Sequence, residues 1–223
     1  MTSLALLQLV SPALPVGAFS YSEGLEVLIQ SGTLVDENSL LQWLEAELQR
    51  GSVRLEAAAL RLLVDNLNGW CRRTDPAARD RLIELDGWLL ACREAAEVRA
   101  QQRQMGQSLL QLLAEMGHVL PEAPGLSWPA AWAWAAMALD VPIEEMVQGY
   151  LYSWVANQLS AAVRLLPLGP IRAQVLQQRL LPLITAQASQ LQSVDPWSLW
   201  NGGVGSAMAQ LAHAELYSRL FRS

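Results

Sequence analysis

Residues 11–26 read Ser11-Pro12-Ala13-Leu14-Pro15-Val16-Gly17-Ala18-Phe19-Ser20-Tyr21-Ser22-Glu23-Gly24-Leu25-Glu26, a stretch that is neither a regular helix nor an ordinary surface loop. Pro12 and Pro15 fix their own φ and bias the residues before them to extended backbone, so a helix arriving from the N-terminal side must stop here. Gly17 is expected to adopt a conformation closed to branched residues. Leu14, Val16, Phe19, Tyr21 and Leu25 carry far more apolar surface than a solvated linker needs. A buried non-helical segment must find partners for its main-chain polar groups, so other elements are expected to pack over it. Ser20 or Ser22 is expected to cap the next helix, with Glu23 in its first turn.

Helical signals extend in both directions. Leu4 to Val10 reads as a short apolar helix, and Glu23 to Gln30 as a second that stops at Ser31-Gly32. Asp36 caps a third, in which Leu40, Trp43, Leu44 and Leu48 form one stripe ending near Gly51. Ser52 to Leu67 repeats the pattern and is expected to stop at Asn68-Gly69, leaving residues 70–74 as a turn before a new start at Asp75-Pro76. From Ala77 the periodicity runs to about Gln104, where Gly106 is expected to interrupt it. Ser108 to Met116 then reads as a separate helix and Gly117 to Gly125 as a loop containing His118, Pro121 and Pro124. A tryptophan-rich buried helix over Trp128 to Leu139 is followed by Ile143 to Leu165, Ile171 to Leu191, an irregular bend over Val194 to Gly205, and a last helix capped by Ser206 and running to the terminus. Period-two alternation never persists. The expectation is all-α: a compact, largely orthogonal bundle of about ten helices forming one domain over residues 1–223, with a partner-docking tail at about 206–223.

Composition bounds the function. Hydrophobic residues make up 52% and charged residues 16%, so the surface is short of charge, which favours cover by other subunits and a homodimer. All fifteen basic residues are arginine, the cation best suited to desolvated interfaces. The net charge of −6 argues against nucleic acid as the main partner. Residues 1–50 hold six acids and one arginine, whereas residues 166–223 hold four arginines and two acids, so the C-terminal end is suited to an acidic partner. The most apolar run, Trp128 to Leu139, falls well short of the roughly 20 residues that span a bilayer. Cys71 and Cys92 form no CxxC pair and no secretory signal is recognisable, so a cytoplasmic protein without a disulfide framework is expected.

Familiar catalytic patterns do not emerge. The chain has no GxxxxGK[ST] phosphate loop and no G-x-G-x-x-G dinucleotide fingerprint. His118 and His213 stand nearly a hundred residues apart, each without a near cysteine, so neither a tight nickel or zinc site nor a catalytic triad is expected. Glu94 and Glu97 beside Arg93 and Arg99 read as a solvated, mutually neutralising helix face. Trp128, Trp132 and Trp134 read as core.

The run Ser11-Pro12-x-Leu14-Pro15-x-Gly17-x-Phe19-x-Tyr21-Ser22-x-Gly24-Leu25-Glu26 resembles the opening signature of the urease accessory protein F (UreF) family. Asp86, Glu97, Arg99, Met105 and Gly106 are similar to that family's middle helix pair, Ala161-Ala162-Val163-Arg164-Leu165-x-Pro167-Leu168-Gly169 to its third signature, and Tyr217 to Ser223 to its closing tail. Pro170 departs from the family's usual Gln, although Gln174 stands where a second Gln is common. Ala207 and Ala214 replace the acids that often flank His213, and Val194 to Gly205 matches nothing in the pattern.

The resemblance implies a non-enzymatic, all-helical, dimeric accessory protein of nickel urease maturation. Such a protein binds a second accessory protein (UreD, UreH in some bacteria) and with it recruits the GTPase UreG, which supplies nickel to apo-urease. The alternative it leaves open is an activator of that GTPase, with an arginine entering the nucleotide site. No cofactor is expected in this chain, nickel being handled by the complex. Gly17, Phe19, Tyr21, Ser22, Glu26, Arg99, His213, Tyr217, Arg219, Leu220, Phe221 and Arg222 are the expected partner-binding residues. A tail of Tyr217, Leu220 and Phe221 interleaved with Arg219 and Arg222 is costly to leave in water, so it should dock either on its own bundle or on the partner.

Overall fold

The computed structural model describes residues 4–73, 75–122 and 125–223, and within them every regular element is helical. Ten α-helices follow in order: α1 Leu4–Leu9, α2 Leu25–Gln30, α3 Glu37–Arg50, α4 Ser52–Arg73, α5 Pro76–Ala91, α6 Ala96–Glu115, α7 Trp128–Ala138, α8 Ile143–Leu165, α9 Pro170–Leu191 and α10 Val204–His213. Short 3₁₀ turns occupy Ala18–Ser20 and Pro196–Ser198.

Helix α4 is the central element. Ala57, Ala58, Ala59 and Leu60 are consecutive and all buried, which requires neighbours on every side, and α3, α5, α7, α8 and α9 supply them. Helix α7 is buried on all its residues except Trp128 and Ala138, and its alanines let it lie closely against α4 and α6. Trp132 is fully buried there and donates its indole N–H to the Met146 carbonyl. The core is one continuous apolar cluster drawing on all ten α-helices. Asp36 caps α3 as expected, in a capping box with Ser39.

Two glycines expected to end helices lie inside them. Asn68-Gly69 does not stop α4, which runs to Arg73; a Cβ on Gly69 would stand 2.7 Å from the Ala78 Cβ. Gly106 does not divide α6: a Cβ there would meet the Leu126 carbonyl oxygen at 2.3 Å, where the strand of chain leading into α7 crosses the helix. Each glycine permits close packing and ends nothing. Residues 70–73 are therefore helix rather than turn, while Thr74 and Pro124 lie outside the described residues. The real break falls at 92–95, between α5 and α6, without glycine or proline to mark it.

The C-terminal expectations also change. Ser206 does not cap α10 but sits within it, buried, donating to Glu47 and accepting from the Trp43 indole. The helix ends at His213, and residues 214–223 run on as non-helical chain.

The two kinds of glycine separate by experiment. Gly106→Val should cost about 3 kcal/mol or more in urea unfolding, because the clash is with main chain that cannot swing aside. Gly87→Ala, at an exposed helical position with nothing within 4 Å, should stabilise by up to about 1 kcal/mol. Equal effects at the two positions would overturn this account.

Candidate functional site

The opening stretch and the C-terminal tail form one site. Pro12 and Pro15 keep residues 11–17 out of helix, and Gly17 turns the chain with φ 74°, a left-handed conformation that branched residues resist. The turn leads into Ser22, Glu23 and Gly24, where Glu23 (φ 52°) and Gly24 (φ 87°) are both left-handed. This conformation aims successive amides one way: the N–H groups of Ser22 and Glu23 both donate to the Ser223 main-chain oxygen, at 2.7 and 3.1 Å. The Ser22 hydroxyl donates to the same oxygen at 2.8 Å and accepts from the Glu26 amide in the first turn of α2 at 3.5 Å, so Ser22 holds the tail as well as meeting the start of the helix.

Glu26, in the first turn of α2 and 2% exposed, is the second anchor. Its Oε1 accepts from the Leu220 amide at 2.8 Å and its Oε2 from the Phe221 amide at 3.1 Å. The same Oε2 faces His213 Nε2 at 3.3 Å, while His213 Nδ1 lies 2.8 Å from Glu97 Oε2. Both ring nitrogens thus face carboxylate oxygens. Arg219 donates to the other Glu97 oxygen at 2.6 Å. Burial by itself would raise the Glu97 pKa, but the hydrogen bonds from His213 and Arg219 outweigh it and hold the carboxyl below its usual range.

Phe221 is buried under the Arg164 guanidinium, which lies 4.4 Å from the ring centroid and also donates to the Phe19 carbonyl at 3.0 Å. The Arg222 amide donates to the Ser20 carbonyl, and the Ser223 hydroxyl donates to Gln101. The tail therefore docks on its own bundle.

The expected partner-binding residues divide accordingly. Ser22, Glu26, His213, Arg219, Leu220 and Phe221 come together in the clamp. Tyr21 is buried beside it, its hydroxyl donating to Gln104. Phe19, Tyr217 and Leu220 expose their side chains, and Arg222 is exposed as well. Arg99 stands apart, pinning the α5–α6 turn through bonds to the Arg93 and Glu94 carbonyls.

Beneath the clamp lies a buried polar cluster that includes Arg93, which the sequence reading placed on a solvated face. Arg93 is 3% exposed and forks onto Glu56 Oε1 with its Nε and one terminal nitrogen, at 2.9 and 2.6 Å, while Glu23 lies 3.8 Å away. Tyr150 donates to Glu56 Oε2 at 2.8 Å, and Gln101 and Trp154 donate to Glu23. Burial raises the Glu56 pKa against the pull of Arg93, and burial together with Glu56 raises Tyr150 far above its usual value. Of the solvated charged face expected there, Glu94 stays exposed and Glu97 and Arg99 are half-buried, but the break at 92–95 turns Arg93 inward. Glu56 had one sequence signal: it is the single acid within an Ala/Leu run on a buried helix. Gln101 and Gln104 had none, since polar residues at core positions look like surface in a helical pattern.

The clamp makes two predictions. Glu26→Ala should lower the hydrogen-exchange protection of the residue 220 and 221 amides at least tenfold, as a ~1.4 kcal/mol loss requires, while α4 amides keep theirs. The Glu97 contribution has a defined sign: with its folded pKa below the ordinary 4.5, it is fully present above 4.5 and is lost as pH falls through the lower folded value. NMR signals of the Phe221 ring should therefore keep their docked positions from neutral pH down to 4.5; undocking within that interval would contradict the assignment.

Comparison with known proteins agrees with the sequence motifs. A family model described as UreF matches residues 34–181. The urease accessory protein UreF of Prochlorococcus marinus (strain MIT 9215) is 39% identical over 221 residues, covering 96% of each chain. That of Trichormus variabilis (strain ATCC 29413 / PCC 7937) is 40% identical over 228 residues, covering 99% of this chain and 95% of its own. With so long a match, the chain belongs to the UreF family of urease accessory proteins.

Proposed function

We propose that the chain acts in urease maturation as a non-enzymatic scaffold, which joins a UreD-type accessory protein (UreH in some bacteria) and with it recruits the GTPase UreG for nickel delivery to apo-urease. The observation that carries this reading is the outer face of α10. Ser206, Ala209, Gln210 and His213 are buried, while Val204, Met208 and Leu211, spaced by four and three residues, are exposed on the opposite side. A helix that packs a largely polar face against the bundle and leaves apolar side chains in water is suited to a partner.

Further exposed apolar side chains flank α10 in the sequence. Trp200 is 75% exposed just before α10, and Tyr217 and Leu220 follow in the tail. Large aromatic and aliphatic groups of this kind anchor interfaces. The clamp gives them a fixed frame, so binding there incurs little ordering cost. Self-association as a homodimer belongs to the same reading, favoured by Leu4, Leu7 and Ile171, all exposed. Among the described residues no helix is long and apolar enough to cross a membrane, and no group of three His, Cys, Asp or Glu side chains gathers to hold a metal ion.

The experiment is a pull-down of the UreD- and UreG-type proteins with the purified chain. Met208→Glu and the pair Tyr217→Ala/Leu220→Ala should weaken capture of the UreD-type protein at least tenfold, on the scale of interface anchors, with thermal stability unchanged. Phe221→Ala should instead lower stability, because its ring is part of the fold. Undiminished capture by the surface variants would remove the proposal. Single-turnover GTP hydrolysis by the GTPase distinguishes a scaffold from an activator: a large acceleration lost on one Arg→Ala change would favour the activator.

A further inference from the structure

The same fold forms an open cavity of about 530 Å³ between the opening stretch, α6, α8 and α9, within the range of small-molecule sites. Leu14, Met105 and Val163 contribute apolar walls, and its floor is the polar cluster of Glu23, Glu56, Gln101, Gln102 and Tyr150.

The hydrogen-bond inventory of that floor is one-sided. Its donors are already committed to carboxylates: Arg93 and Tyr150 to Glu56, Gln101 and Trp154 to Glu23, and the Gln102 amide nitrogen to Glu56 at 3.4 Å. The last bond fixes the Gln102 amide with its Oε1 on the other side, and this oxygen, on a residue 3% exposed, has no protein partner. Two carboxylates also share a single guanidinium, which leaves one negative charge uncompensated when both are ionised. The floor has carboxylate acceptors and negative charge to offer. A complementary ligand therefore brings donors and a positive charge on an apolar stem.

We propose that this cavity binds a small amphiphilic primary amine, its ammonium seated at Glu23 and its hydrocarbon portion along the apolar walls. The inference does not depend on the scaffold reading: the exposed face of α10 contributes no residue to the cavity.

The test uses the full-length chain with three probes of equal length, n-hexylammonium, n-hexanol and hexanoate, followed by calorimetry and by the indole N–H signal of Trp154, which points at Glu23. Hexylammonium should bind at least tenfold tighter than hexanol and move the Trp154 signal, whereas hexanoate should not bind. Glu23→Gln should reduce hexylammonium to the level of the alcohol. Ser160→Trp, at an exposed position on the cavity rim, should abolish binding of both without touching the floor. Equal affinity for amine and alcohol would show an apolar pocket only. That result, binding of hexanoate, or no binding by any probe at millimolar concentration would overturn the proposal, and none of these outcomes bears on partner capture by α10.

Discussion

Two carboxylates and one guanidinium are buried together at the centre of this bundle, and their mutual satisfaction constrains everything around them. Arg93 leaves the α5–α6 turn, Glu56 comes from α4, Glu23 from the turn before α2, and Tyr150 and Trp154 from α8. Removing one partner of such a group strands a charge out of water, at a cost of about 3–5 kcal/mol, whereas the assembled group contributes little net stability. What it contributes is register: four segments distant in sequence must arrive together or not at all. Burial opposes the Arg93 charge, yet Glu56 and Glu23 outweigh it and hold the guanidinium firmly protonated. Arginine suits this position because a planar fork meets a carboxylate with two donors where an ammonium makes a point contact.

The tail clamp is an extension of this cluster. Glu23 sends its carboxylate to Arg93 and Trp154 while its amide donates to Ser223 and its carbonyl accepts from Gln210 of α10. Gln101 likewise donates to Glu23 and accepts from the Ser223 hydroxyl. The left-handed backbone at Glu23 is unusual for a residue with a side chain, and three simultaneous demands on one residue account for its persistence. Through these shared groups the position of the tail is tied to the packing of the core.

The sequence showed the helices where periodicity was clean and mistook their boundaries where glycine was ambiguous. Asp36, the Pro12-Pro15 break and the buried tryptophan helix carry local signals that tertiary structure did not override. Gly69 and Gly106 looked like terminators because the local pattern cannot show that another segment occupies the place where their Cβ would stand. The candidate site was legible in its motif residues, Ser22, Glu26, His213 and Phe221, while their pairing was not. Glu97 and Arg93 lie four residues apart in a charged run that normally faces water, yet one holds the tail and the other enters the core. What sends them to different places is the unmarked break at 92–95, a product of tertiary demand and not of local propensity.

The tail resolves the two destinations its composition suggested by dividing backbone from side chains. Amides at 220, 221 and 222 are satisfied inside the chain by Glu26 and the Ser20 carbonyl, so the segment is held without any partner. Tyr217 and Leu220 point outward, as do Met208 and Leu211 on the helix that precedes them. A segment anchored through its main chain presents its side chains without first having to order. Only apolar area remains to be covered there, and burying it needs no rearrangement of the polar groups that hold the frame.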